Sequence, residues 1–265
     1  MLPFTAERLV PRYSDSEDGR LLYLRHLFAY EEAARRLPQG AVVLDIGCGE
    51  GYGTDVLARS ARQVEGIDLD GGSISHAVAA YGSDTCHFQT YDGISIPFPS
   101  NTVDAAVSFQ VIEHVMNDTR FVAEAARVVR SGGLCVMTTP NRGLRLDPGE
   151  RPWNRYHVRE YDPGGLRELL ASHFSHVEVL GIAGDEETQA HELERLAWVR
   201  RTVARDPLGL RRLLPEGMKR RVLSFLRGTQ AQRGSAVSVA TWGTDRYRII
   251  PDAGAGLDLL AVCTR

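Results

Sequence analysis

The run from Val42 to Gly53, VVLDIGCGEGYG, restricts the fold of this chain more than any other part: an apolar stretch breaks into a turn of alternate glycines that carries carboxylates. Glycine takes positive φ without penalty and lets a ligand approach the backbone, while the amides of the turn and the following helix face that ligand. Such turns commonly hold pyrophosphate. Here Asp45 precedes the glycines and Glu50 lies among them. Carboxylates in those places repel a diphosphate and attract an ammonium or sulfonium, so the turn points to a nucleotide cofactor with a cationic part.

The dinucleotide pattern GxGxxG fails on register, because after Gly47 and Gly49 its third glycine falls at Tyr52. Val64 to Asp68 reads as the next strand, and Asp68 at its end is placed to take both ribose hydroxyls. That feature alone fits NAD equally well, and a structural corner with incidental glycines is the bland alternative.

With 265 residues, 43% of them hydrophobic, and a formal net charge of -3, the chain can bury one full core with an appended subdomain. The near-neutral balance gives no argument for a nucleic-acid partner. Cys48, Cys86, Cys135 and Cys263 are scattered, which suggests neither disulfides nor structural zinc and fits a reducing compartment. Met1 to Arg8 lacks a basic region followed by an apolar stretch, and no segment approaches the roughly 20 apolar residues of a membrane span. A soluble, cytoplasmic protein is expected.

Leu21 to Leu37 reads as an amphipathic helix, and strands at 41–46, 63–68, 86–89, 104–109 and 134–139 alternate with helices such as Ser73 to Tyr81 and Thr119 to Arg130. That alternation predicts a parallel sheet with helices on both faces, the ligand lying beyond the carboxyl ends of the strands. A helix at about 164–172 and strands His176 to Leu180 and Leu259 to Cys263 complete the pattern. The resulting divisions are 1–40, a segment and helix closing the site; 41–184, the core; 185–254, a helical cap insertion; and 255–265, the last strand.

The combination Asp45-x-Gly47-x-Gly49-x-Gly51, followed about 20 residues on by Asp68, closely resembles the class I S-adenosylmethionine (SAM) methyltransferases. The resemblance covers about Glu31 to Gly181 and the last strand. It implies an α/β, Rossmann-like seven-stranded sheet whose last two strands form an antiparallel hairpin. SAM is the implied cofactor: Gly47, Gly49 and Gly51 line its methionine part, Asp45 meets its ammonium directly or through water, and Asp68 with Leu69 takes the ribose. Asp92 and Gly93 then face the adenine, and Gln110 also touches the cofactor; for Asp92 a plain turn-forming role stays open.

Gln110-Val111-Ile112-Glu113-His114 resembles the E-x-x-E-H metal site of methyltransferases of ubiquinone biosynthesis and of small RNA, with Gln110 replacing the first acid. It implies Mg²⁺ on Gln110, Glu113 and His114, with His157 as a further ligand; a helix-capping or cofactor-contacting role for Glu113 and His114 is the alternative. The polar, aromatic loop from Pro152 to Tyr161 suits acceptor recognition, with Trp153 and Tyr156 as stacking rings, Arg155 beside them, and His157 as candidate base. Catalysis is thereby placed on His157, His114 and Glu113.

Thr5 to Pro11, Arg25 to Tyr30, the glycine turn and the loop from Asn154 to Glu160 together resemble a subgroup from bacterial surface-polysaccharide and mycobacterial methylglucose and methylmannose polysaccharide pathways. The subgroup implies O-methylation of a sugar hydroxyl. A phenol or quinol acceptor is the enzymatic alternative, and a non-catalytic SAM-binding regulator the alternative of another class. On residue chemistry alone, Arg25 and His26 read as surface residues of an amphipathic helix. The arginine-rich segment from Arg195 to Arg227 has three readings: a solvated cap or homodimer surface, attraction for an anionic acceptor, or contact with acidic lipid through Met218 to Leu226.

Overall fold

The computed structural model describes residues 17–204 and 241–265. Thr5 to Pro11 and the arginines from Arg205 to Arg227 lie outside the described residues.

Helix α1 (Glu17–Arg36) leads into strand β1 (Val42–Ile46), and there follow α2 (Tyr52–Ala58), β2 (Gln63–Asp68), α3 (Gly71–Tyr81), β3 (Cys86–Thr90) and β4 (Val103–Phe109). Then come α4 (Asp118–Val128), β5 (Val129–Pro140), the short α5 (Arg142–Arg145), α6 (Pro163–Ala171), β6 (His176–Gly184), α7 (Glu186–Ala204), β7 (Tyr247–Ile250) and β8 (Asp258–Thr264). Helix starts follow local chemistry. The Asn117 side chain accepts from Arg120 N–H to cap α4, and Asp162 caps α6 ahead of Pro163 in the first turn.

The sheet order is β3-β2-β1-β4-β5-β8-β6-β7. The first five strands are parallel, while β8 runs antiparallel to both β5 and β6, and β7 antiparallel to β6. The expected Rossmann-like sheet with its antiparallel final pair is therefore present, with eight strands rather than seven. The extra strand comes from the end of the insertion expected to be wholly helical. Tyr247–Ile250 pairs with Gly181–Gly184 and supplies hydrogen bonds that β6 would otherwise leave open along its edge.

Alternate residues of β1 feed two separate cores, because successive strand side chains point to opposite faces. Val43 packs with Leu21, Phe28, Tyr30 and Leu57 beneath α1 and α2, whereas Leu44 and Ile46 pack with Phe121, Val122, Leu166 and Leu170 beneath α4 and α6. Chain order reverses between β1 and β4, and the carboxyl ends of these strands open the cleft where a ligand sits in such sheets. All four cysteines are free and buried, and no described helix is long and apolar enough to cross a membrane.

Candidate active site

The turn after β1 is held by backbone bonds. Gly47 and Cys48 N–H both donate to the Ile67 carbonyl of β2 (2.8 and 3.0 Å), and Gly49 N–H donates to Asp68 Oδ2 (2.9 Å). Asp68 Oδ1 accepts from Asp70 N–H (2.9 Å). One bond on each oxygen fixes the carboxylate while leaving acceptor capacity on both. Gly47 has φ +82°, and a Cβ there would stand 2.4 Å from Val111 Cγ2, so only glycine lets the chain turn beside Val111. The cleft over this turn is a cavity of about 320 Å³, lined by Gly47, Gly49, Glu50, Asp68, Leu69 and Gln110, and also by His26, Cys48, Tyr52, Asp70, Tyr91, Phe109, Val111 and His114.

Four expected cofactor residues lie elsewhere. Asp45 shares the parity of Val43 and is fully buried on the α1 face, where Tyr30 O–H (3.2 Å) and Thr54 O–H (2.7 Å) donate to its Oδ2. Burial pushes its pKa up to about 7 against the pull of those bonds. It fastens the turn to the two helices rather than lining the cavity. Gly51 is a packing glycine whose added Cβ would strike Ala77 and Phe88. Asp92 Oδ1 accepts from Ile94 N–H (2.8 Å) and Ser95 N–H (2.7 Å), bonds that hold its carboxyl below the usual range; the turn-forming role is the one observed. Gly93, with φ +72°, makes room for Leu69, whose exposed side chain forms the cavity rim.

On α1, sequence reasoning placed the helix but missed what Arg25 and His26 do on it. Arg25 is buried, not on the surface: its Nε donates to Asp258 Oδ2 (2.6 Å) and its Nη1 to Glu192 Oε1 (2.5 Å). Burial alone would lower its pKa, but the two acids raise it. His26, the next residue, lines the cavity beside Tyr52. The only signal available was an unbroken stripe, Leu21, Leu24, Arg25, Phe28, in which Arg25 occupies a core position.

Beyond β4 the chain turns through Gln110, at φ +57°, into a 3₁₀ turn, Ile112–His114. Gln110 lines the cavity over the glycine turn, and its amide lies 3.5 Å from Thr138 Oγ1. Glu113 is buried; its Oε2 accepts from Thr139 O–H (3.1 Å), its Oε1 has no partner among the described residues, and burial pushes its pKa up to about 8. His114 Nδ1 faces the Tyr156 carbonyl (3.2 Å), and burial together with the nearby His157 holds its pKa down at about 4. His157 Nδ1 donates to Glu160 Oε1 (2.8 Å). Burial pushes Glu160 up, but His157 and Arg145, whose Nε lies 2.9 Å from Glu160 Oε2, outweigh it and keep the carboxylate ionised. A carbonyl and a carboxylate only accept, so each imidazole carries a proton on Nδ1.

The two rings meet edge to face with centroids 4.7 Å apart. His114 lines the cofactor cavity; His157 lines a second cavity of about 370 Å³ with Arg151, Pro152, Asn154, Arg155 and Val158. Their contact brings one lining residue of each cavity together. Neither Trp153 nor Tyr156 lines either cavity, contrary to the stacking role expected of them. The Arg145 guanidinium lies over the Trp153 ring (5.1 Å) and that of Arg155 over Tyr156 (4.6 Å). Trp153 thus braces Arg145, and through it Glu160 and His157.

Donor atoms of Glu113, His114 and His157 lie within 4.8 Å of one another. An unpartnered buried carboxylate oxygen beside two oriented imidazoles fits a divalent transition ion. Mg²⁺, which prefers oxygen ligands and water, suits this set poorly.

Residues 44–137 match the family model described as a methyltransferase domain. Over that stretch the chain is similar to methyltransferase domains. A Mycolicibacterium smegmatis protein named "Probable S-adenosylmethionine-dependent methyltransferase" is 40% identical over 171 residues, 64% of this chain and 63% of that protein. A ubiquinone biosynthesis O-methyltransferase of Mesorhizobium japonicum is 32% identical over 132 residues, 48% of this chain and 53% of its own. The chain thus spans less than two thirds of the length of these relatives. In fold, the domain and its additions resemble a Thermotoga maritima structure titled as a SAM-dependent methyltransferase and possible histamine N-methyltransferase, with TM-score 0.57 and 14% identity over 97% of both chains.

Proposed function

We propose that this protein binds SAM in the cavity over the glycine turn and transfers its methyl group to a hydroxyl of a sugar in an oligosaccharide or polysaccharide precursor. The observation that carries the reading is the contact of His114, from the lining of the first cavity, with His157, from the lining of the second, His157 being backed by Glu160. SAM supplies an activated methyl group with a good leaving group, so the protein has to align an acceptor oxygen and remove its proton. His157 Nε2, aimed by Glu160, is the base. His114, with its pKa near 4, is too weakly basic at neutral pH and serves as a neutral wall between donor and acceptor.

What favours a sugar over a phenol or quinol is that Arg151, Asn154, Arg155 and His157 bring several hydrogen-bonding groups to the lining of the second cavity. Mass spectrometry of a glycan pool incubated with the protein and methyl-labelled SAM tests this: a labelled methyl ether on a sugar is the expected product. Label on a phenol or quinol alone would replace the acceptor, and no transfer to any pool would leave a SAM-binding regulator.

The unpartnered Glu113 Oε1 favours a second arrangement, a divalent ion held by Glu113, His114 and His157, in which His157 Nε2 is a ligand in place of the base. The ion would lower the pKa of the acceptor hydroxyl. Dialysis against EDTA then abolishes turnover and a transition ion restores it; full activity in EDTA leaves His157 as a metal-free base.

A further inference from the structure

With Asp45 turned into the core, the cationic end of the cofactor needs another acceptor, and α1 with the first residue of α2 provides one. His26 Nε2 lies 3.3 Å from the Phe109 carbonyl oxygen, and His26 Nδ1 lies 2.5 Å from the Tyr52 hydroxyl. Because a carbonyl oxygen only accepts, Nε2 carries the ring proton. Burial, with Arg25 acting the same way, holds the His26 pKa down at about 4, so the ring is neutral and Nδ1 is a bare lone pair. That lone pair accepts the hydrogen bond of Tyr52 O–H. Burial keeps Tyr52 a phenol, with its pKa well above the ordinary value. The Tyr52 hydrogen is thereby committed to His26, and Tyr52 Oη has only lone pairs left to offer. Both side chains line the cavity, as does Glu50, which is 6% exposed on the same turn.

We propose that Tyr52 Oη, with Glu50 beside it, accepts the ammonium group of SAM, and that His26 is the positioning residue that fixes the direction of the Tyr52 hydrogen. A tyrosine without such a partner can turn its hydrogen toward a cation and repel it; this one cannot. The inference rests on the SAM-binding reading and supplies the group that the buried Asp45 does not.

Calorimetry with two ligands tests it: SAM, and 5′-methylthioadenosine, which keeps the nucleoside and a thioether but lacks the amino-acid part. Tyr52→Phe should weaken SAM about tenfold or more, the scale of a hydrogen bond to a charged group, and leave methylthioadenosine unchanged. His26→Phe should weaken SAM less, again without affecting methylthioadenosine. Because His26 acts through Tyr52, the double variant should be no weaker than Tyr52→Phe alone. Equal weakening of both ligands, additive losses, or an unaffected Tyr52→Phe would overturn the assignment. Wild-type protein that bound no SAM would overturn the function reading along with it.

Discussion

The proposed donor half and the proposed acceptor half of the site are built by different means. Around the glycine turn the geometry is set by backbone: two amides on the Ile67 carbonyl and two more on Asp68. Across the His114–His157 contact it is set by side chains in series, Trp153 against Arg145, Arg145 on Glu160, Glu160 on His157. Backbone geometry survives most single substitutions, because the strand ends that create it are fixed by both cores. A side-chain series fails when one member is removed, and its failure should appear in turnover more than in cofactor affinity.

That contrast can be broken most directly at His157. His157→Ala should lower kcat by about 10²- to 10⁴-fold with SAM affinity unchanged, since a base acts in the transition state. A matching loss of SAM binding, measured by calorimetry, would show the halves to be one unit. Next in size is Arg25→Met, which leaves Asp258 buried without its cation and Glu192 with Arg195 alone. Denaturant titration should show a loss of about 3–5 kcal/mol, the usual cost of removing one partner of a buried ion pair; a loss below 1 kcal/mol would mean that water or another group satisfies the two acids. On the donor side, Asp68→Ala should cost about 2 kcal/mol of SAM affinity, with the fold intact by circular dichroism. Unchanged affinity would remove Asp68 from the ribose.

A smaller effect separates the halves by pH. The Glu113 carboxyl titrates near 8 in the folded chain against about 4.3 when unfolded. Between those values the folded chain holds a proton the unfolded chain has released, so stability falls as pH rises through that window. Asp45, with its pKa near 7, adds a slope of the same sign. Glu113→Gln should therefore lose less stability between pH 5 and 8 than wild type while retaining the Asp45 part. Zn²⁺ should flatten the wild-type slope alone; equal slopes in urea titrations without metal would refute a buried neutral Glu113. Smallest of all, Trp153→Ala removes a cation–π contact of about 0.5–1 kcal/mol and should lower kcat by less than about fivefold without changing acceptor KM. A raised KM would return Trp153 to the acceptor site.

The same division explains what was legible in the sequence. Val42 to Gly53 and Asp68 carry their meaning within one strand-turn-helix unit, so alternation and glycine spacing place the sheet, the turn and the Asp68 carboxylate beside it. Parity within the strand also contains the fate of Asp45, since Val43 and Asp45 must share a face; the family resemblance outweighed it in the reading above. Arg25 was not legible, because its partners Glu192 and Asp258 stand 167 and 233 residues away. Nor was the bracing role of Trp153, because an aromatic residue in a polar loop looks the same whether it faces a ligand or an arginine.

Arg25 and His26 are neighbours on one helix, the first bound to the insertion helix and to the last strand, the second set in the wall of the cofactor cavity. Anyone grafting the insertion of a relative onto this core, to change its acceptor, would sever Glu192 from Arg25 and disturb the cofactor wall one residue away. The insertion is not an interchangeable module: a chimera should keep its hold on the methyl donor only if the residues at positions 25, 192 and 258 travel together.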